Sequence, residues 1–88
     1  MATYQINEGA SRVVEGAVMF SVTLFEGEPH DTRDPKKCEE SPHTTQEFTF
    51  PAGSTRDEVH AAFQAAADVW AESCAKHRAE RAALESFL

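Results

Sequence analysis

With 88 residues, the chain has room for one domain (1–88), and a chain of this size buries roughly 60–65% of its unfolded surface, which leaves little for an enclosed catalytic cavity. Its composition, 41% hydrophobic and 26% charged, is typical of a folded globular protein and not of a disordered one. The formal net charge of −7 argues against binding to the phosphate backbone of nucleic acid, which needs clustered lysine and arginine.

Two strands are predicted in the first third of the chain. Residues 3–7 alternate apolar and polar side chains, which indicates a short, half-buried strand. Residues 12–25 give the strongest strand signal, and Gly16 inside them predicts a bulge or bend. The even positions of this second strand form its predicted core face: Val14, Val18, Phe20, Val22 and Leu24.

The segment 26–46 has a different composition, rich in acidic residues and proline. Seven of the 15 acidic residues lie between Glu26 and Glu47, and only three basic residues oppose them. A segment of this length without an apolar pattern is long for a connection inside a compact domain. We therefore expect an acidic loop that is either mobile or used for binding.

A third strand and one long helix complete the predicted fold. Residues 45–51 alternate again, with Phe48 and Phe50 facing inward. The helix is predicted over 55–86, because Thr55 and Glu58 fit a capping box and the following residues include ten alanines but no glycine or proline. This order predicts an α+β domain: a three-stranded antiparallel sheet (β-β-β-α order) with one long C-terminal helix packed across one face.

The predicted helix is longer than the body it packs against. It would run about 45 Å, whereas a compact domain of this size is about 30 Å across, so its last turns should project. One helix also covers only one face of a sheet, which leaves the odd positions of the second strand without an obvious cover. Exposed apolar patches often mark association sites. The possible self-interface is therefore Met19, Phe25, His77, Arg81, Leu84, Phe87 and Leu88.

The cysteines and histidines allow two further interpretations, a metal site and a nucleophile. Cys74 and His77 are three apart on one helical face, and a structural zinc site would need further ligands from His30, Cys38 or His43. A Cys–His nucleophile in the acidic loop would lack an evident group to orient its base. We expect no catalytic residue and no cofactor, and keep a zinc-stabilised domain as one alternative.

The sequence favours a small, acidic, non-enzymatic protein-interaction module, such as an inhibitor or adaptor, that binds a basic surface on a macromolecular partner. One version mimics the charge of nucleic acid. The second alternative is a structural homodimer formed through the C-terminal helix. We expect a cytoplasmic protein with no membrane contact, since no basic leader or long apolar run is present. We also expect no direct nucleic-acid contact, because of the negative net charge. The predicted partner-binding residues are Asp31, Asp34, Glu39, Glu40, Glu47, Asp68 and Glu72.

Overall fold

The fold is an antiparallel sheet with a long helix across one face, as described by a computed structural model of residues 1–88. The α+β class is confirmed, but the sheet has four strands instead of three. The second α-helix is the predicted long one. In chain order the elements are β1 (Thr3–Ile6), β2 (Arg12–Val14), β3 (Ala17–Phe25), α1 (Pro35–Glu40), β4 (His43–Pro51) and α2 (Arg56–Glu85).

The extra strand arises because the predicted strand 12–25 is a hairpin. Val14 pairs with Ala17, so Glu15 and Gly16 form a two-residue turn between β2 and β3. Gly16 has a φ of 70°, a conformation that suits such turns and that residues with a Cβ rarely adopt. Directly opposed residues point to the same side of a sheet. Across the turn, the even-numbered residues of β2 therefore lie on the same face as the odd-numbered residues of β3. Val14 therefore shares a face with Ala17, and its predicted place on the core face is wrong.

β3 is the central strand of the sheet. β4 pairs along its whole length on one side, from Ala17 opposite Pro51 to Phe25 opposite His43. The other side is shared by two short strands lying end to end, β1 beside residues 22–25 and β2 beside residues 17–19. The sheet is thus three strands wide at each end, and the outer side of β4 is unpaired.

The core lies between α2 and the even face of β3, as the alternation predicts. Val22 and Leu24 are fully buried against α2, which contributes Phe63 at the centre of the contact. The ring of Phe63 meets aromatic rings edge-on, with centroids 5.1 Å from Phe48 and 5.3 Å from Phe20. Edge-to-face packing adds to the gain from burial alone, so Phe63 anchors the helix on the sheet.

The opposite face of β3 is covered at its Phe25 end, where the sequence predicted an exposed patch. Phe25 is fully buried, and Met19 is half-buried. The rings of His30 and His43 pack on Phe25, with centroids 5.0 Å and 6.2 Å away. The sequence prediction failed for Phe25 because segment 26–42 folds back over this end of the sheet.

Polar side chains cover the middle of the same face. Ser21 and Thr23 are buried there, and the side-chain amide of Asn7 donates to both hydroxyls, at 3.2 Å and 3.0 Å. Asn7 lies between β1 and the single 3₁₀ turn Glu8–Ala10 that leads to β2. The middle of this face is therefore covered by hydrogen-bonded polar side chains.

Segment 26–42 contains α1, which the sequence analysis did not predict. Asp34 caps this helix, since its carboxylate accepts from the backbone N–H groups of Lys36 (3.1 Å) and Lys37 (3.4 Å). Pro35 occupies the first turn, where a missing N–H costs nothing. Beyond α1, the Ser41 hydroxyl accepts from the Gly27 N–H at 2.9 Å. The segment is thus closed by its own hydrogen bonds.

α2 begins at the predicted cap and extends far beyond the sheet. The Thr55 side chain accepts from the Glu58 N–H at 3.2 Å. Every residue after Cys74 is exposed, and the molecule measures 53 Å along its longest axis against 23 and 20 Å along the others. The projection predicted from helix length is therefore present. Neither helix has the length and apolar character needed to cross a lipid bilayer.

Candidate functional site

The end of α2 is exposed over its last turns. Residues 79–88, called here the projecting segment, are all exposed. Three large apolar side chains lie on it: Leu84 is 56% exposed, Phe87 88% and Leu88 94%. His77 and Arg81, also predicted for a self-interface, are exposed on the same helix. The structure thus brings five of the seven predicted self-interface residues onto one exposed helix end and leaves Met19 and Phe25 in the sheet.

The three apolar residues of the projecting segment are close in sequence at the end of α2. Leu84 lies on the helix, which ends at Glu85, and Phe87 and Leu88 follow in a turn whose N–H groups bond the carbonyls of Leu84 and Glu85. The spacing i, i+3 and i+4 would make the three side chains neighbours if the helix continued. Upstream, the same line reaches the half-buried Trp70 and Cys74 at the edge of the core. The steps along it alternate between four and three residues, as in a coiled-coil seam, through Trp70, Cys74, His77, Arg81, Leu84 and Leu88.

An ion pair fixes α2 where it leaves the body. Arg78 donates from both terminal nitrogens to the Glu26 carboxylate, and one of these bonds, from Nη1 to Oε2, measures 2.6 Å. Hydrogen bonding from Arg78 lowers the pKa of Glu26 below its usual value, and Glu26 in turn raises the pKa of Arg78. The bidentate geometry is the strong form of this pair. The projecting segment therefore starts just past a defined anchor.

Cys74 and His77 do not form a metal site with any third residue. No further histidine, cysteine or carboxylate brings a ligand atom close to both of them. Cys74 is half-buried beside the ion pair, where burial, and then the negative charge of Glu26, raise the pKa of its thiol. A neutral thiol is a poor nucleophile and a poor ligand. Cys74 is best explained as a packing residue.

The predicted acidic binding residues are spread over several elements, and some already have partners within the chain. Asp31 pairs with Arg33 at 3.1 Å, and hydrogen bonding from Arg33 lowers the pKa of that carboxyl. Asp34 caps α1, and Asp68 accepts from the side chain of Gln64 at 3.0 Å. The seven predicted acids lie on segment 26–42, β4 and α2: Asp31, Asp34, Glu39, Glu40, Glu47, Asp68 and Glu72.

One cluster of potential ligand groups is assembled by segment 26–42 and the start of β4. A nitrogen of His30, the sulfur of Cys38 and a nitrogen of His43 all lie within 4.8 Å of one another. The Cys38 Sγ is 3.7 Å from His43 Nδ1. Sequence reasoning named these residues as further ligands beside Cys74 and His77 and as a Cys–His nucleophile in the loop, but not as a metal site of their own. The Asp34-Pro35 helix start was the available signal, because α1 turns Cys38 back toward His43.

The ring of His30 is held by two backbone carbonyls. Its Nε2 lies 2.8 Å from the Ser41 carbonyl oxygen and its Nδ1 lies 3.0 Å from that of Asp31. The two carbonyls favour the protonated ring and raise the pKa of His30, with the Ser41 contact the larger cause. By contrast, no hydrogen bond holds Nε2 of His43, so the Cys38–His43 pair lacks the orienting group of a catalytic triad.

An open apolar hollow lies between the sheet and the start of α2. Its volume is about 310 Å³, and its walls include Phe20, Phe50 and Val59. His60 at its rim is already bonded to the Tyr4 hydroxyl at 2.6 Å. Ser54 and Thr55 also line the hollow, but the Thr55 hydroxyl caps α2 and neither hydroxyl bonds His60, so no nucleophile is paired with a base there.

Comparison of the chain with protein-family models, curated proteins and solved structures gave no match.

Proposed function

We propose that this chain is a small, acidic, non-enzymatic protein-interaction module that binds another protein through the projecting segment of α2. The observation that carries this proposal is the exposure of Leu84, Phe87 and Leu88 at the end of a helix that extends beyond the sheet. A helix end of this length is marginally stable in water by itself. A partner that buries the apolar side would stabilise the helix and remove apolar surface from water together.

The spacing of the three apolar residues fits recognition of a helix by a groove. In that mode an amphipathic helix places side chains at i, i+3, i+4 and i+7 into an apolar groove of its partner. Complete burial of three large apolar side chains contributes roughly 5–9 kcal/mol, which association entropy and side-chain ordering largely offset. The segment by itself therefore supports a modest affinity.

The charge of the protein supplies the second part of the proposal. A net charge of −7 attracts a partner with a basic surface beside its groove and raises the association rate, an effect that added salt screens. Glu39, Glu47 and Glu72 are exposed and have no ion-pair partner within the chain, so they contribute to this field. An inhibitor or an adaptor would act by occupying such a surface.

A homodimer through α2 is the second candidate, favoured by the seam spacing from Trp70 to Leu88. His77 and Arg81 occupy the middle of that seam, where two copies would each bury a polar and a charged side chain. Burying a charge without a partner is costly. A foreign groove that leaves Arg81 at its rim avoids this cost, so it is the preferred reading.

The test compares Leu84→Glu with a matched control, Ala79→Glu. Both positions are exposed, both variants add one negative charge, and Ala79 lies on the opposite side of α2. The wild type and both variants would be used to retain proteins from a cell extract. A protein retained by the wild type and by Ala79→Glu, but lost with Leu84→Glu, would be purified, and its binding to each form would be measured by calorimetry. We expect Leu84→Glu to weaken such a complex at least tenfold, about 1.4 kcal/mol, and added salt to weaken it further.

Light scattering over a concentration series separates the two candidates. A monomer together with a purified partner sensitive to Leu84→Glu supports the proposal. A dimer at low micromolar concentration that Leu84→Glu dissociates, with Ala79→Glu unchanged, would replace it by the homodimer. A monomer whose captured partners tolerate Leu84→Glu contradicts both.

A further inference from the structure

We propose that His30, Cys38 and His43 bind one zinc ion, which joins segment 26–42 to the start of β4. Two imidazoles and one thiolate are donors that zinc accepts, and three protein ligands leave a fourth position for water. The proposal rests on the position of these three side chains alone and is independent of the projecting segment. It names a different site from the Cys74–His77 pair considered in the sequence.

The separations of the ligand atoms fit a tetrahedral ion. With Zn–N bonds of about 2.0–2.1 Å and a Zn–S bond of about 2.3 Å, two nitrogen ligands are about 3.3–3.4 Å apart and a nitrogen and a sulfur about 3.5–3.6 Å. Cys38 Sγ and His43 Nδ1 are 3.7 Å apart, close to the nitrogen–sulfur separation. All three ligand atoms lie within 4.8 Å of one another, so they need to approach one another by no more than about 1.5 Å to close the site. Side-chain rotation supplies a movement of this size.

Ligation by His30 requires one of its two ring contacts to be given up. Both ring nitrogens face backbone carbonyl oxygens, those of Asp31 and Ser41. A carbonyl oxygen in line with a ring nitrogen occupies the place of a metal ion bound to that nitrogen, so the ring must turn away from one carbonyl when zinc binds. The other nitrogen then keeps its N–H hydrogen bond to a carbonyl, as a ligating histidine usually does.

The site is built on a buried and closed framework. The rings of His30 and His43 both pack on Phe25, which is fully buried. The Asp34 cap fixes the start of α1 and thereby the position of Cys38. Ser41, which is buried, bonds Gly27 through its hydroxyl and His30 through its carbonyl. Ligands held in place in this way lose little conformational entropy when the ion binds.

The local charge also favours a dication. Residues 26–43 carry six acidic and three basic side chains. Two of the basic residues, Arg33 and Lys37, lie within 4.0 Å of acidic partners in the same segment. The field around the cluster is therefore negative, which raises the local concentration of cations.

The test is a titration of the metal-free full chain with zinc chloride at about pH 8, where bound thiolate and neutral imidazole are favoured. Calorimetry should give one zinc per chain, and zinc should raise the midpoint of thermal unfolding. Cys38→Ser and His43→Gln should weaken binding at least about 100-fold, since loss even of an outer partner costs 10- to 100-fold. The matched controls are Cys74→Ser and His77→Gln, which should bind zinc like the wild type.

Cobalt supplies a readout on the wild type itself, which does not depend on any ligand variant being folded. Cobalt(II) bound to the wild type should show intense visible bands of a tetrahedral ion and a near-ultraviolet thiolate-to-metal band, and the Cys74→Ser variant should retain both. Absence of the thiolate band overturns the proposal, as does zinc binding that survives Cys38→Ser or is lost in Cys74→Ser. Binding of several zinc ions with unchanged affinity in all variants would show only attraction to the acidic surface and would also overturn it.

Discussion

Replacing Phe25 with alanine tests whether segment 26–42 seals the second face of the sheet. Phe25 is fully buried, and its cover consists of His30 and His43. Removal of a buried phenylalanine side chain costs about 3–5 kcal/mol. A domain of this length is stabilised by roughly 4–13 kcal/mol in total. The variant should therefore lose a large share of its stability, and its unfolding midpoint should fall by at least about 12 °C.

Urea unfolding followed by circular dichroism measures the change, with Val13→Ala as the control. Val13 is 77% exposed on the same sheet, so its variant should stay within about 0.5 kcal/mol of the wild type. Phe25→Leu keeps most of the volume and should cost less than about 1.5 kcal/mol, which keeps the test informative if Phe25→Ala does not fold. A Phe25→Ala variant within about 1 kcal/mol of the wild type would show that the face is open and that segment 26–42 does not cover it.

Two further substitutions test local features of the fold. Glu26→Gln should destabilise the protein at neutral pH. Pairing with Arg78 lowers the folded-state pKa of Glu26 below its ordinary value of 4.5. The difference in unfolding free energy between wild type and variant is therefore present above that value and should vanish as pH falls through the lowered pKa. A pH-independent difference between the two urea-unfolding curves would contradict the assignment. Gly16→Ala should cost about 1–2 kcal/mol, because a φ of 70° disfavours a residue with a Cβ, although no atom lies within 4 Å of that position. Gly9→Ala should cost less, because Gly9 is equally open and has no positive φ. Equal losses of stability of the two variants in thermal unfolding would refute the turn conformation.

The parts of the fold that the sequence predicts are those with a periodic apolar pattern. The even face of β3 and the inward phenylalanines of β4 follow from alternation, since each strand repeats every two residues. The long helix follows from the Thr55 cap and the alanine-rich run, and it is observed at Arg56–Glu85 against the predicted 55–86. In both cases several residues give the same signal, so one ambiguous position does not change the result.

The remaining features depend on single residues or on contacts distant in sequence. A two-residue turn at Gly16 interrupts the 12–25 strand without breaking its apolar pattern, so alternation alone does not show it. α1 has too few residues for a helical period to appear. The burial of Phe25 depends on His30 and His43, whose polar character gives no hydrophobic signal in the sequence. The same holds for the Cys38 cluster, because it forms only once the segment has folded back.

Phe25 and Glu26 connect the two proposed functional regions through one point of the backbone. Consecutive residues at the end of a strand face opposite sides of the sheet. Phe25 accordingly supports the rings of His30 and His43 on one side, while Glu26 anchors Arg78 of α2 on the other. The Glu26 N–H also donates to the Pro42 carbonyl at 3.0 Å, directly before His43. If the proposed zinc ion binds, we expect it also to restrict the Glu26 carboxylate, which bonds Arg78 where the projecting segment leaves the body.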